Sequence, residues 1–171
     1  MQKIRDSIRN IPDFPEAGIQ FKDITPLLAK PAALAQAIEL MVQPVLEEKI
    51  TAVAGMEARG FIFGSLVANR LDTAFVPLRK PGKLPYEVKS ASYDLEYGSA
   101  TLEVHSDAFT SSDRVLIVDD LIATGGTAQA SCQLISEFGA EIVACAFLIE
   151  LDGLGGRDKL APHKVHTLLH Y

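Results

Sequence analysis

The segment from Val115 to Thr127, VLIVDDLIATGGT, holds the residue types and spacing that most clearly indicate chemistry. Its four consecutive aliphatic residues are typical of a buried strand, and the strand leads to Asp119 and Asp120. Ligands of α/β proteins bind at the carboxyl ends of such strands. The segment therefore predicts two carboxylates at the edge of a parallel sheet, followed by a glycine turn.

That turn consists of Ala123, Thr124, Gly125, Gly126 and Thr127. Adjacent glycines permit positive φ, so successive backbone N–H groups can converge on one phosphate. The helix predicted after the turn adds partial positive charge at its N-terminus. Neither the Walker motif GxxxxGK[ST] nor the dinucleotide motif GxGxxG is present here. We expect a phosphorylated sugar, with its phosphate on the turn and its hydroxyls on the acids; the alternative is a tight turn beside two solvated acids.

A second strand–turn–helix pattern occurs in GMEARGFIFG, where Glu57, Ala58 and Arg59 occupy the turn. The planar guanidinium of Arg59 is suited to the oxygens of a pyrophosphate. The alternative is a surface arginine without a ligand.

Four cations lie within eleven residues of this net-acidic chain, at Arg79, Lys80, Lys83 and Lys89. An intervening Pro-Gly pair gives the run hinge-like freedom, and its place after a predicted strand directs it to the same sheet edge. Runs of this kind are often solvated loops that improve solubility. The pattern allows either a solvated loop or an anion-binding one.

Two other patterns resemble functional sites. His163, His166 and His170 have the spacing of metal ligands on a helix, but VHTLL is typical of extended chain, which places His163 and His166 on opposite faces. The glycine-rich segment GLGGRD, residues 153–158, is followed by no long helix. We therefore expect no metal site at the histidines and a plain loop at residues 153–158.

The elements that position these residues follow from the pattern of apolar residues. Ile4, Ile8 and Ile11 predict a short opening helix, and a second helix is expected from Pro31 to Glu48, with Pro44 shortening it. From residue 50 onward, apolar runs alternate with amphipathic stretches, which indicates a parallel sheet covered on both faces. Strands are expected over 50–56, 73–79, 114–120, 141–151 and 166–171, and helices over 60–71 and 127–139. Residues 12–26 should be irregular or extended, and an antiparallel two-stranded excursion with a mobile tip is expected between 81 and 113.

Composition limits the remaining possibilities. The 171 residues fit one domain, and 48% hydrophobic with 22% charged residues is a globular composition. A net charge of −6 argues against broad binding to nucleic acid. We find no apolar run of membrane-spanning length and no signal-peptide pattern in MQKIRDSIRN, and so expect no membrane association. Cys132 and Cys145 form no CxxC pair, which is typical of reduced thiols and predicts a cytoplasmic protein.

Residues 115–127 resemble the phosphoribosyl-pyrophosphate signature of the type I phosphoribosyltransferases, and the form DDLIATGGT is most similar to the members that use adenine. Three further segments support the resemblance. PDFPEAGIQFKDITPLL resembles the family's N-terminal hood, GMEARGFIFG its pyrophosphate loop, and RKPGKLPYE with YDLEYGSATLEVH its flexible catalytic loop. Ala17, where many relatives have proline, is a small departure that removes no contact.

The resemblance implies a type I phosphoribosyltransferase fold. This is an α/β fold with a parallel sheet core flanked by helices, a small N-terminal hood of about residues 1–30 and a flexible loop of about 80–108. The whole chain, 1–171, is then a single domain. It further implies transfer of the phosphoribosyl group from 5-phosphoribosyl 1-pyrophosphate to adenine, giving AMP and pyrophosphate. The implied cofactor is Mg²⁺, held mainly by substrate and water with no protein ligand assigned, and the implied assembly is a homodimer.

Residue roles follow from the same resemblance. Phe21 is expected to stack on adenine, while backbone groups around Gln20 and Lys22 read the edge of the base. Glu96 handles a proton at the base, and Tyr97 helps to close the site. Pyrophosphate is expected at Glu57, Ala58, Arg59, Arg79, Lys80 and Lys83, with one of the last three reaching across a dimer interface. Asp119 and Asp120 hold the ribose hydroxyls and stabilise the developing oxocarbenium cation, and residues 123–127 anchor the 5′-phosphate.

Two alternatives remain open. One is a transferase for guanine, hypoxanthine or xanthine, although the form of the hood favours adenine. The other is a purine-sensing regulator without catalysis, which would require a DNA-binding module that the core of 171 residues leaves no room for.

Overall fold

The computed structural model describes residues 1–94 and 99–171. Its first elements are α1 (Gln2–Arg5), β1 (Arg9–Pro12), β2 (Gln20–Asp23) and α2 (Thr25–Leu28). Strands β1 and β2 pair antiparallel, with Ile11 opposite Phe21. The predicted helix over Ile4, Ile8 and Ile11 is therefore wrong beyond Arg5, because Ile11 lies in a strand. The segment expected to be irregular or extended supplies the second strand of this hairpin.

Helix α3 (Pro31–Val42) follows, and a 3-10 turn over Gln43–Val45 ends it. Pro31 occupies the first helical turn, where its missing N–H removes no hydrogen bond. Pro44 lies inside the 3-10 turn, so the helix stops short of Glu48, as the proline predicts. None of the helices in the described ranges is both long and apolar enough to cross a membrane.

The rest of the chain alternates strands with helices, apart from one antiparallel hairpin. Its elements are β3 (Ala52–Met56), α4 (Gly60–Leu71), β4 (Ala74–Leu78), β5 (Val88–Asp94), β6 (Ser99–His105), β7 (Arg114–Ile122), α5 (Gly126–Ser136), β8 (Glu141–Glu150), α6 (Gly156–Lys159) and β9 (Val165–His170). Five strands form one parallel sheet in the order β4-β3-β7-β8-β9. Strands β5 and β6 form the antiparallel excursion. The predicted fold class is confirmed.

Buried side chains on the two faces of the sheet form two apolar clusters. Leu116 and Val118 of β7 pack in the cluster that holds α3 and α4 side chains. Val115 and Ile117 pack in the other cluster, with side chains of α5 and of the β5–β6 hairpin. Successive residues of a strand point to opposite faces. Strand β7 therefore carries apolar residues to both clusters and then delivers its two acids to the carboxyl edge.

A close helix–sheet approach sets the position of α4. A Cβ added at Gly64 would lie 3.3 Å from Cα of Gly55 and 2.8 Å from the ring of Phe75. Any side chain at Gly64 would therefore push α4 away from β3. The absence of one allows the first residues of α4, and the turn that precedes them, to lie next to the end of β7.

Candidate active site

The glycine turn after β7 surrounds a cavity of about 180 Å³. Gly125 has a φ of 78°, which is left-handed, and it caps helix α5, whose first residue is Gly126. Only the first of the two adjacent glycines thus uses the conformation that the sequence predicts for them. The lining consists of Met56, Asp119, Leu121, Ile122, Phe147 and residues 123–128. The cavity thereby combines a helix N-terminus with one of the two acids, a suitable arrangement for an anion with adjacent hydroxyls.

Near the end of β7, Asp120 is buried and only 3% exposed, whereas Asp119 is half-buried and lines the cavity. The backbone N–H of Asp120 donates to Oδ1 of Asp119 at 2.8 Å. Burial raises the pKa of Asp119 well above its ordinary value, and the neighbouring Asp120 carboxylate raises it further. Burial also raises the pKa of Asp120, against the opposing effect of the Arg59 guanidinium.

Arg59 connects this acid pair to the N-terminal hairpin. Its Nε lies 2.9 Å from Oδ2 of Asp120, and its guanidinium lies 5.0 Å from the centre of the Phe21 ring. The Phe14 ring meets Phe21 edge-on, with centroids 5.1 Å apart. The guanidinium thus pairs with a carboxylate and contacts an aromatic face at the same time.

The hairpin encloses a mainly apolar pocket of about 370 Å³ lined by Ile11, Phe14, Phe21, Asp23, Ile24, Thr25 and Arg59. The side chains of Gln20 and Lys22 both bond the Asn10 amide, at 2.6 and 2.9 Å. Strand β2 pairs only with β1 in this two-stranded sheet, so its other edge presents backbone N–H and C=O groups. The hairpin therefore offers an aromatic face together with backbone donors and acceptors.

Two acids hold the basic turn after β4. Arg79 donates from Nε and Nη2 to the carboxylate of Glu57, at 3.2 and 3.3 Å, and the N–H of Lys80 donates to the same group at 3.0 Å. These hydrogen bonds lower the pKa of Glu57. On the other side of the turn, the N–H of Gly82 donates to Glu103 at 2.9 Å. The turn is held at Arg79, Lys80 and Gly82, and no ion pair among the described residues engages the ammonium groups of Lys80 or Lys83.

A third cleft, of about 560 Å³, lies beside the basic turn and is lined by Glu57, Lys80, Pro81, Ala100, Thr101, Leu102 and Thr127. Thr127 also lines the cavity of the glycine turn, and Arg59 lines the hairpin pocket while it pairs with Asp120. The three spaces are thus connected by shared or directly paired residues. An aromatic pocket, an acid pair with an anion cradle, and a basic cleft are therefore neighbouring parts of one site.

Most of the residues predicted for the site therefore lie together. Arg59 is directed to Phe21 and Asp120 rather than to the basic turn. Glu57 bonds the basic turn through its carboxylate, while its backbone N–H donates to the carbonyl of Leu78 at 3.0 Å. Glu96 and Tyr97 lie outside the described residues.

Glu103 lies in the segment that resembles the flexible catalytic loop, but the sequence predicts no role for it. Its side chain supports the basic turn at Gly82, and its backbone pairs with Arg79. Glu103 is distant from Gly82 in the sequence, so no local pattern predicts their contact.

One group among the described residues offers three ligand atoms close enough to share a metal ion: Glu150, Asp152 and His170. It contains none of the predicted site residues. His163 and His166 do not join His170 in it, and no ion pair or hydrogen bond in the described part of the chain links the three histidines.

Comparison with known proteins gives a consistent result. The sequence model of the phosphoribosyl transferase domain family matches residues 23–167. The chain is similar to the adenine phosphoribosyltransferase of Methylococcus capsulatus, with 66% identity over 171 residues and all of both chains covered.

Solved structures agree. The crystal structure of adenine phosphoribosyltransferase from Rhodothermus marinus is 55% identical, with a TM-score of 0.95 and coverage of 99% of this chain and 97% of that one. The Saccharomyces cerevisiae enzyme, solved with D-2,5-dideoxy-2,5-imino-altritol 1,6-bisphosphate and adenine, is 40% identical, with a TM-score of 0.91 and coverage of 97% and 96%. On these matches, the chain belongs to the phosphoribosyl transferase family and, within it, to the adenine phosphoribosyltransferases.

Proposed function

We propose that this protein transfers the phosphoribosyl group of 5-phosphoribosyl 1-pyrophosphate to adenine, giving AMP and pyrophosphate. The observation that carries the proposal is the connected series of three clefts. An apolar pocket with an aromatic face suits a purine, the acid pair with the glycine turn suits a ribose 5-phosphate, and the basic cleft suits a pyrophosphate.

The ribose 5-phosphate is assigned to the turn and the acid pair. Backbone N–H groups of residues 123–127 and the N-terminus of α5 bind the 5′-phosphate. The carboxylates of Asp119 and Asp120 accept hydrogen bonds from the ribose hydroxyls. Displacement at the anomeric carbon builds oxocarbenium character, and negative charge fixed beside it stabilises the transition state.

Adenine is assigned to the pocket of the N-terminal hood. The base stacks on Phe21, and the free edge of β2 near Gln20 and Lys22 supplies the backbone groups that read it. The side chains of Gln20 and Lys22 bond the Asn10 amide. This supports recognition of the base by their backbone groups rather than by their side chains. The yeast relative was solved with adenine and a bisphosphate together, as a joined base and sugar-phosphate site requires.

Pyrophosphate is assigned to the backbone of the turn at Ala58 and Arg59 and to the basic turn. Glu57 holds Arg79 and Lys80 next to the cleft, so the role proposed for its carboxylate is to position these cations. The ammonium groups of Lys80 and Lys83 then neutralise the polyanion as the flexible loop of residues 80–108, which carries Glu96 and Tyr97, closes over it. Closure excludes water that would otherwise hydrolyse the activated sugar.

Mg²⁺ is the cofactor we propose. The cleft supplies oxygen donors of the type that Mg²⁺ prefers, in the carboxylates of Asp119 and Asp120. These carboxylates fit an ion that arrives on the pyrophosphate and ribose oxygens and keeps much of its water. When bound, Mg²⁺ would neutralise charge on the departing pyrophosphate.

We also propose a cytoplasmic homodimer. A basic turn must be held over a polyanion, and the resemblance to the type I phosphoribosyltransferases implies that this happens across a symmetric interface. Arg79 is committed to Glu57 of its own chain, so Lys80 or Lys83 is the residue proposed to reach a partner. Sedimentation should give the mass of two chains; a fully active species at the single-chain mass of 18.5 kDa would contradict the dimer.

The reaction is tested by offering adenine, guanine, hypoxanthine and xanthine separately with 5-phosphoribosyl 1-pyrophosphate and Mg²⁺. We expect adenine alone to be consumed at a high rate, with AMP and pyrophosphate formed in equal amounts. EDTA should stop turnover, and added Mg²⁺ should restore it. Consumption of no purine would favour a sensing role, and faster use of another purine would overturn the assignment of the hood.

Glu96→Gln tests the proton-handling role. The incoming adenine must lose a proton as the glycosidic bond forms, and glutamine keeps the size of the side chain but cannot accept that proton. We expect kcat to fall about 10²-fold, the usual contribution of a general base. Affinity for 5-phosphoribosyl 1-pyrophosphate, measured by calorimetry, should change less than twofold.

The matched control is Glu87→Gln, which alters an exposed glutamate at the start of the same hairpin. It should leave kcat unchanged. Near-normal turnover in Glu96→Gln would falsify the role, and loss of sugar-phosphate binding would make Glu96 a structural residue instead.

Asp119→Asn tests whether burial of the acid pair lowers the free energy of unfolding. The pKa of Asp119 is raised in the folded protein, so the folded state binds more protons than the unfolded state. Stability contributed by the protonated group is complete below the unfolded pKa of about 3.8 and is lost as pH rises toward the folded pKa. At pH 7 the wild-type protein therefore bears the cost of keeping an ionisable carboxyl group away from water, a cost that asparagine lacks.

We expect Asp119→Asn to unfold with a higher free energy than wild type at pH 7, and we expect this gain to shrink as pH falls toward 4. Urea denaturation between pH 4 and 8 measures it. Turnover should fall in the same variant, because the carboxylate that holds the ribose is gone. The exposed Asp107 provides the control, Asp107→Asn. A variant less stable than wild type at pH 7 would contradict the stated effect of burial.

A further inference from the structure

The start of α6, which follows the loop of residues 151–155 after β8, packs directly against the glycine turn. A Cβ added at Gly125 would lie 2.6 Å from the carbonyl oxygen of Gly156 and 2.9 Å from its Cα. A Cβ added at Gly156 would overlap the carbonyl oxygen of Ala123 and lie 2.9 Å from Cγ1 of Ile122. The two backbone segments are thus in contact without space for a side chain on either one.

Arg157 fixes the start of α6 to the end of the sheet. Its Nε and Nη2 donate to the two carboxylate oxygens of Glu150, at 3.1 and 2.5 Å. Its Nη1 donates to the carbonyl of Val165 at 2.7 Å, and its Nη2 also donates to the Thr167 hydroxyl at 2.9 Å. Glu150 is 8% exposed, and the Thr167 hydroxyl donates to it as well, at 2.9 Å.

This network connects three elements of the chain. Glu150 ends β8, Val165 and Thr167 belong to β9, and Arg157 belongs to the short helix α6. A two-pronged arginine–carboxylate pair specifies orientation as well as distance. Arg157 therefore holds Gly156 at a fixed position relative to the sheet, and Gly156 in turn contacts the turn that cradles the cavity.

We propose that Gly156 and Arg157 are positioning residues for the 5′-phosphate, and this rests on the proposed function of the glycine turn. The N–H groups of residues 123–127 bind a phosphate well only if they keep a common centre. Gly125 is in a left-handed conformation at the middle of that turn, and Gly156 contacts it on one side. A shift of about 1 Å in binding groups can lower catalytic efficiency by a large factor.

The test uses Gly156→Ala and Arg157→Lys in the full chain. Alanine at 156 must displace the carbonyl of Ala123, and lysine at 157 keeps the charge but loses the two-pronged geometry. Calorimetry gives Kd for AMP and for 5-phosphoribosyl 1-pyrophosphate, and steady-state rates give kcat and the KM for adenine. Lys159→Ala is the matched control, because Lys159 is an exposed residue of α6 next to the loop.

We expect both Kd values to rise about tenfold or more in Gly156→Ala and by a smaller factor in Arg157→Lys, while the KM for adenine changes less than twofold. The control should bind as wild type does. Unchanged Kd values in folded variants would overturn the proposal, as would an equal loss of adenine and sugar-phosphate affinity. Wild-type protein that binds neither phosphate ligand would instead refute the proposed function.

Discussion

Two carboxylates lie side by side at the end of a buried strand, and the rest of the site must supply positive charge that compensates them. Withdrawing Asp119 and Asp120 from water disfavours their ionised forms, and their proximity adds repulsion. The Arg59 guanidinium lies within ion-pair distance of Asp120. The positive ends of two helices begin nearby, at Gly60 and Gly126. The parallel sheet brings these groups together, because the carboxyl ends of β3 and β7 lie side by side.

The positive groups around the acid pair explain how a chain of net charge −6 can attract a polyanion. Positive groups are concentrated at one edge of the sheet, in Arg59, the basic turn and the backbone N–H groups of the glycine turn. Glu57 and Glu103 orient the basic turn without engaging the ammonium groups of Lys80 and Lys83 in any described ion pair. Local geometry, rather than overall charge, provides the attraction.

Much of the sheet could be predicted from the sequence, because buried parallel strands such as β7 and β8 are continuous aliphatic runs. Helix α4 begins and ends at the predicted residues, Gly60 and Leu71. The prediction of one helix over Ile4, Ile8 and Ile11 was wrong because helical spacing does not show where a helix ends. The same spacing occurs when a short helix is followed by a strand, as it is here. Contacts between distant segments had no local signal. The fit of Gly156 against Ala123, and the hold of Glu57 on Arg79, depend on how two backbones meet after folding.

AMP contains the phosphate, ribose and adenine groups for which sites are proposed. A crystal structure with bound AMP therefore tests these assignments most directly. We expect the 5′-phosphate to accept hydrogen bonds from N–H groups of residues 123–127. The ribose hydroxyls should lie within hydrogen-bond distance of Asp119 or Asp120, and the adenine ring should stack on Phe21. A phosphate bound at the basic turn, or a base outside the pocket of the hood, would contradict this arrangement.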